Sequence, residues 1–557
     1  MKNENYLAYA QLKDRDADWY GHAPAYDGAG EEELIYSLDT YKSYYVLEHG
    51  AGKTDFVDYC NKLEKNNFVL YSSKESNGNS FATYTDGENI VNVSHISYRD
   101  VDRYVLKDIS YLSIAVDSVK NSMLPPKLEA YESIAKVQVT SIVTCLVIRL
   151  ADGRFLIVDS SLAREEPVDL IYQTLCEQNV RDGKPIVAAW MITHAHSDHV
   201  GGFFGIMEKY GDKIEVQRVI HGFPGEQTYF GKNYMEYTMD DVAASVTRFS
   251  NRVKHLMDEK MPNGGFTIAH TGQIFEYPGV TLEIVFTSEN LYRQQMFDTN
   301  MSSVIYMFTM SGGKLLALGD AVDGEAKIIR KLHGKDLKCD AVVIAHHSFN
   351  GGDEELYYNT GASVAIWPNT YEHILQNKLI GKLYNHFDFN SVKHNLILSQ
   401  DDKVMTLYDG MSVEELARFD RKSDVENKFD VDYELRKQPK NYLTEAHLKE
   451  GFGDAPRYYG NGDDKEILTF NETDKTYTIT ISGVTEYNFE WYCNALKRDG
   501  YQSTTVSDDA GKKSATYASL LNSVCVDYLM ADSKMIINVG CAGKDVLAFS
   551  RNRKCNY

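Results

Sequence analysis

Four side chains able to bind a metal ion leave the chain within six residues: His194, His196, Asp198 and His199, in the run Thr193-His194-Ala195-His196-Ser197-Asp198-His199. Imidazole and carboxylate groups crowded in this way suit a borderline divalent ion such as Zn²⁺. The run follows Ile186-Val187-Ala188-Ala189-Trp190-Met191-Ile192, an unbroken apolar stretch whose length predicts a buried strand. It precedes Gly201-Gly202, which we read as letting the backbone turn sharply over the site. Two histidines alone would be weak evidence, whereas the full pattern at the end of a buried strand is specific.

The motif resembles the signature of the metallo-β-lactamase superfamily, and further stretches match in that family's order. Leu146–Asp159 is similar to its opening hairpin, which ends in a supporting aspartate. Lys314-Leu315-Leu316-Ala317-Leu318-Gly319-Asp320 resembles the strand that delivers a metal-bridging aspartate, and Val342-Val343-Ile344-Ala345-His346-His347-Ser348 the strand that delivers the last histidine. The tandem His346-His347, Asn300-x-x-Ser303 and the closing Leu398–Val404 are most similar to the competence-protein branch, and phosphorylcholine esterases carry related patterns. The resemblance spans roughly residues 138–410. It implies an αββα sandwich holding two divalent metal ions, zinc first, with manganese or iron as alternatives. His194 and His196 would bind the first ion and Asp198 and His199 the second, with Asp320 bridging. One of His346 and His347 would complete the second site while the other faces substrate or supports its neighbour. In much of the superfamily a further histidine completes the first site. Here that stretch reads Phe297-Asp298-Thr299-Asn300-Met301-Ser302-Ser303, so Asp298, Asn300 or water must take its place.

The implied activity is hydrolysis by a metal-bound hydroxide, first on a small phosphodiester or phosphoester, with Asp198 and His373 as catalytic residues. Carboxylic-ester, lactone or β-lactam hydrolysis is the nearest alternative, and a non-catalytic metal-binding sensor or scaffold is the alternative of another class. Among the remaining histidines, His221 reads as a hydrogen-bonded loop residue, His270 as part of a structural turn and not a ligand, and His373 as a substrate-side residue. Tyr229 and Tyr371 are pocket-lining candidates, though with 39 tyrosines packing is the default for any one.

These residues need a frame, and the alternation of apolar strand runs with helical segments over 130–415 predicts an α/β domain. Around it the chain repeats itself: residues 42–106 align without a gap to 475–539, with 15 of 65 pairs identical, where chance gives roughly four. The identities include Tyr59-Cys60-Asn61 with Tyr492-Cys493-Asn494 and Ala82-Thr83-Tyr84 with Ala515-Thr516-Tyr517. Each copy reads as a small α+β module: a strand, a helix burying Phe56, Tyr59 and Leu63 (Phe489, Tyr492 and Leu496), two more strands and a fourth near Tyr104 and Ile536. Cys60 and Cys493 fall on the buried side of these helices, as small core residues. The expected organisation is an N-terminal segment 1–41, a first copy 42–110, the central domain 130–415, a connector 416–470 and a second copy 471–557. The copies read either as packing wings for the central domain or as docking, dimerisation or substrate-gating modules.

Composition narrows the partners. At 557 residues, with 43% hydrophobic and 25% charged residues, the chain is long enough for several folded domains. A net charge of −22 without a basic cluster disfavours long nucleic acid. A small-molecule substrate and homo-oligomers through the duplicated modules are expected. Eight cysteines without a CxxC pair read as free thiols. No stretch of about 18 apolar residues predicts a membrane span, and the N-terminus lacks an apolar leader, which reads as cytoplasmic, with secretion after signal removal as the alternative.

Overall fold

The computed structural model describes residues 23–28, 31–37, 44–102, 105–119, 122–223, 259–261, 264–291, 299–348, 351–374, 392–408, 410–412, 414–421, 463–484, 501–509, 511–518 and 522–541, with single positions among 455–458 and 486–496. The chain divides into two compact units, residues 4–424 and 425–557.

The first unit begins with an antiparallel sheet of six strands: β1 (Glu31–Ser37), β2 (Tyr44–His49), β3 (Val69–Ser76), β4 (Asn79–Thr85), β5 (Asn89–Asp102) and β6 (Val105–Ser118), in the order β1-β2-β6-β5-β4-β3. Helix α1 (Lys53–Lys65) packs Phe56, Tyr59, Cys60 and Leu63 against Tyr84, Val91, Val93, Leu112 and Ile114. The module thus takes in a strand from the 1–41 segment and continues past residue 110. Alternation along β4 turns Ala82 and Tyr84 toward α1 and Phe81 and Thr83 the other way. That second face is buried too. Phe81 stacks on His333 with ring centroids 6.0 Å apart, Asn79 donates to the Leu332 carbonyl at 2.7 Å, and Gln273 donates to Asn92 at 2.9 Å. The first module is therefore seated on the central domain.

The central domain is an αββα sandwich. Its first sheet comprises β7 (Gln138–Ile142), β8 (Cys145–Arg149), β9 (Phe155–Val158), β10 (Ile186–Ile192), β11 (Glu215–Val216), β12 (Arg218–His221), β13 (Gly265–Ile268) and, at the edge beside β7, β21 (Met405–Tyr408). Helices α2 (Glu165–Gln178) and α3 (Ser197–Tyr210) cover its outer face, with Ile171, Leu175 and Phe203 against Val147, Ile157 and Trp190. The second sheet is β14 (Ile274–Tyr277), β15 (Val280–Phe286), β16 (Ile305–Met310), β17 (Gly313–Ala317), β18 (Ala341–Val343), β19 (Val364–Thr370) and β20 (His394–Leu398), in that order. Helices α4 (Asp323–His333) and α5 (Glu354–Thr360) connect the parallel strands β17, β18 and β19.

Because the first sheet is covered on both faces, its central strands carry apolar residues on both. β10 sits between β9 and β12 and is apolar throughout. In β8, Leu146 and Ile148 face the core between the sheets while Cys145 and Val147 face the helices, so the side chains alternate in direction but not in polarity. From the second sheet, Leu315 and Ala317 of β17 enter the inner core with Leu156, Val158 and Met191.

The second unit is described by itself. Its sheet comprises β22 (Asp463–Asn471), β23 (Thr476–Ser482), β24 (Gln502–Asp509), β25 (Lys512–Ala518), β26 (Asn522–Leu529) and β27 (Lys534–Cys541), in the order β22-β23-β27-β26-β25-β24. Phe489, Tyr492, Cys493 and Leu496 share its core with Tyr477, Val524 and Ile537. The pairing departs from the gapless alignment at one place. Asn89 pairs with Ser118, 29 residues on, whereas Asn522 pairs with Cys541, 19 residues on. The first hairpin is longer, so the ladder sets Ile536 level with Ser113 and not with a residue near Tyr104, which itself lies outside the described residues. Of the 416–470 connector, residues 422–454 also lie outside them. Among the described residues no helix is long and apolar enough to cross a membrane.

Candidate metal centre

The site forms where β10 ends. His194 and His196 follow the strand directly, and α3 starts at Ser197 with His196 as its cap, which puts Asp198 in the first turn. A carboxylate there is favoured by the helix dipole. Contrary to the expectation from sequence, Gly201 and Gly202 do not form a turn over the site. They lie inside α3, where a Cβ on Gly201 would stand 2.8 Å from the Ala163 nitrogen and one on Gly202 2.9 Å from the Ser161 nitrogen. Their role is to let the helix approach the 160–163 loop.

Asp159, just past the end of β9, fixes the motif from beneath. It is buried and has a left-handed φ of 55°. Its carboxylate accepts from the Thr193 backbone N–H at 2.8 Å and the Thr193 hydroxyl at 2.8 Å, and lies 2.8 Å from His199 Nδ1. Holding Nδ1 leaves Nε2 of His199 directed into the site. Such an outer carboxylate typically contributes 10–100-fold in metal affinity. Asp159→Ala should therefore weaken metal binding by about that factor in a competition titration against a chelating dye; unchanged affinity would remove Asp159 from the centre.

The opposite wall comes from the second sheet. Gly319, with φ +52°, turns the chain after β17 so that Asp320 points inward, and a Cβ on it would meet the Thr193 side chain at 3.0 Å. Its carbonyl accepts from the His346 N–H at 2.9 Å, which ties the Asp320 turn to the histidine turn. His346, His347 and Ser348 all have left-handed φ values, 52°, 50° and 71°. Each costs about 1–2 kcal/mol in a residue with a Cβ, and the turn is braced by Asn369, whose amide donates to the His347 carbonyl at 3.1 Å.

Asp320 Oδ2 is the hub. His199 Nε2 lies 3.2 Å away, His347 Nε2 3.4 Å, His194 Nε2 3.7 Å and His346 Nε2 3.9 Å. Around it, His194 Nε2 stands 3.0 Å from His196 Nδ1, His199 Nε2 3.1 Å from His347 Nε2, and His347 Nε2 3.0 Å from Asp198 Oδ2. Two groups emerge with metal-binding spacing: His194, His199 and Asp320, and Asp198, His199 and His347. A tetrahedral ion with bonds of about 2.1 Å needs neighbouring ligand atoms about 3.4 Å apart. The residues present therefore fit divalent ions in both donor chemistry and spacing.

The electrostatics agree. Burial and the adjacent His199 hold His194 well below the ordinary histidine range, as a neutral donor. Burial opposes charge on His199 and His347 as well, but Asp320 and Asp159 raise the first well above that range, and Asp320 and Asp198 raise the second to about 9. Burial would raise Asp320, yet His199 and His347 beside it keep it well below the carboxylate range; Asp198 is lowered likewise against its burial, through His347 and His199. The pocket thus favours positive charge.

Of the other candidates, Asn300 is buried in the turn Thr299–Ser302, with Nδ2 3.3 Å from His346 Nε2, while Asp298 lies outside the described residues, as does Tyr229. His373 is exposed just past β19, outside the two metal-spaced groups. Tyr371 precedes it by two residues, and the Arg421 guanidinium sits 5.9 Å from its ring centre. His221 is the last residue of β12, not a loop residue, and stacks on Phe223 at 4.5 Å. His270 carries an ion network that nothing in the sequence announces: Nε2 lies 2.8 Å from Asp117 and Nδ1 2.8 Å from Glu289.

The model of the metallo-beta-lactamase superfamily matches residues 140–279, the stretch containing β10 and the histidine motif. No curated protein matches the chain. Among solved structures, the chain is similar to a mutant of CmlA beta-hydroxylase at 10% identity, over 73% of this chain and 82% of that one, with a TM-score of 0.28. The family match, the two-sheet sandwich and the histidine–aspartate cluster at its strand ends agree: this chain carries a metallo-β-lactamase superfamily domain.

Proposed function

We propose that the chain is a metal-dependent hydrolase acting on a small phosphodiester or phosphoester. The carrying observation is the pair of ligand groups that share His199 and converge on Asp320 Oδ2. His194 would hold one ion together with His196, which stands 3.0 Å from it though outside both spaced groups; Asp198, His199 and His347 would hold the other, and Asp320 both. Divalent ions bound there supply a Lewis acid and lower the pKa of water toward neutrality. The chain's own residues do the rest. Asp159 orients His199 through Nδ1. Asp198, kept ionised and with a partly exposed side chain, is placed to accept or orient a proton at its carboxylate. His373 follows the strand whose Asn369 braces the histidine turn, and we assign it to the substrate side of the cleft.

Phosphoester chemistry is favoured because two adjacent ligand groups would hold positive charge on both sides of a bound phosphoryl group. It is supported by the resemblance of His346-His347 and Asn300-x-x-Ser303 to the competence-protein branch. The net charge of −22 favours a small substrate over long nucleic acid. We further propose that the two six-stranded modules are copies of one unit, a reading supported by their matching strand order and by the equivalent pairs Val93–Ile114 and Val526–Ile537. Homo-oligomers through the modules and a cytoplasmic location belong to the same proposal.

The test compares bis-p-nitrophenyl phosphate with nitrocefin and simple lactones. Phosphodiester turnover that disappears in His196→Ala and Asp198→Ala is the expected result. Retained turnover in either variant would overturn the hydrolase assignment, and turnover of nitrocefin or lactones alone would overturn the substrate class.

A further inference from the structure

The first half of the centre lacks the histidine that the superfamily commonly supplies, and the tandem pair offers a replacement. We propose that His346 provides the third protein nitrogen of the first metal site, with Asn300 beside it, while His347 serves the second. This rests on the reading of the cluster as a metal centre.

Three observations carry it. The two imidazoles diverge although they are neighbours in sequence: their ring centroids are 6.2 Å apart, yet both Nε2 atoms lie within 3.9 Å of Asp320 Oδ2. They also diverge toward different company. His347 meets Asp198 at 3.0 Å and His199 at 3.1 Å, whereas His346 meets Asn300 at 3.3 Å. The Asn300 turn belongs to the His194 side, because Val304 N–H donates to the Thr193 carbonyl at 2.9 Å and Ser303 Oγ stands 3.5 Å from His194 Nδ1. The same Ser303 hydroxyl accepts from the Asp320 N–H at 3.1 Å, so hub, first-site histidine and Asn300 turn are laced together.

The backbone supplies the third observation. Consecutive left-handed residues are rare because each non-glycine residue there is strained, and such strain concentrates where a site requires it. Here the conformation aims adjacent histidines into two halves of one cluster. An extended strand end would send them to opposite faces of the sheet, and only one would reach Asp320.

The experiment uses the full chain and counts zinc and cobalt ions by mass spectrometry after chelator-treated gel filtration. His346→Gly removes the imidazole and at the same time relieves the left-handed strain, so it is the variant least prone to misfold; His346→Asn, which also tolerates that conformation, is the second. The expected result is two ions in the wild type and one in His346→Gly, with the lost site weakened at least about 100-fold. The visible cobalt spectrum should lose one component, and added imidazole should restore the second ion. Unchanged stoichiometry and affinity in both variants would overturn the inference while leaving the metal centre standing. A wild-type chain that takes up no metal would overturn the underlying reading itself.

Discussion

Asp320→Ala is expected to remove both metal ions and to lower kcat/KM by roughly 10³-fold or more, a scale set by losing a preorganised charge at the reacting centre. Asp320 is 2% exposed, and its Oδ2 has four imidazole nitrogens within 3.9 Å. Oδ2 lies 3.7 Å from His194 Nε2 of one ligand group and 3.4 Å from His347 Nε2 of the other. Losing it removes the carboxylate 3.7 Å from His194 and leaves Asp198 to serve His347. His347→Ala should be milder in metal content, costing one ion. Asp320→Asn separates charge from shape, because the amide fills the same space and can still accept through oxygen. Metal per chain and kcat/KM, measured together on the three variants, check this ordering. Two ions retained in Asp320→Ala would show that the aspartate is not shared.

The parts of this centre that the sequence makes legible are the local ones. His194, His196, Asp198 and His199 leave one strand end, so their spacing alone implies convergence, and the apolar run Ile186–Ile192 announces a strand buried on both faces. Asp320 and the histidine pair are reached through family resemblance. The division of labour between His346 and His347 is not legible, because it depends on positive φ values set by a bond to Gly319, 27 residues away, and by Asn369. The motif glycines mislead for a related reason. Glycine signals that something is close or that φ is unusual, and only the packed loop at 160–163 shows which.

The modules are legible where burial imposes a period and illegible where it does not. α1 and β23 carry buried residues at helical and alternating positions. Strand β24, Gln502–Asp509, is exposed along its whole length and polar but for Val506, so hydrophobic alternation gives no sign of it. The long first hairpin also escapes the alignment, although its last identical pair, Val93 with Val526, lies just before the place where the ladders diverge.

Removing the His270 imidazole should cost about 3–5 kcal/mol, the usual penalty for leaving a buried charge without its partner. Asp117, from β6 of the first module, is fully buried, and its carboxylate lies 2.8 Å from His270 of the central domain; Glu289 closes the other side at 2.8 Å and also accepts from the Thr271 N–H at 2.8 Å. The histidine thus joins the module to its seat. Burial disfavours its charge, but Asp117 and Glu289 prevail and raise its pKa to about 10. The unfolded value is about 6.5, so the folded protein keeps a proton that the unfolded chain releases as pH rises. This contribution is complete below about pH 6.5, declines between there and about pH 10, and is gone above it. Thermal unfolding of the wild type should therefore lose more stability between about pH 7 and 10 than that of His270→Gln, which has no proton to lose. Asp117→Asn should flatten the same slope, since it removes the charge that holds the proton. Parallel pH profiles for wild type and His270→Gln would show that the ion network contributes nothing measurable and that other contacts, those of Phe81, Asn79 and Asn92 among them, hold the module.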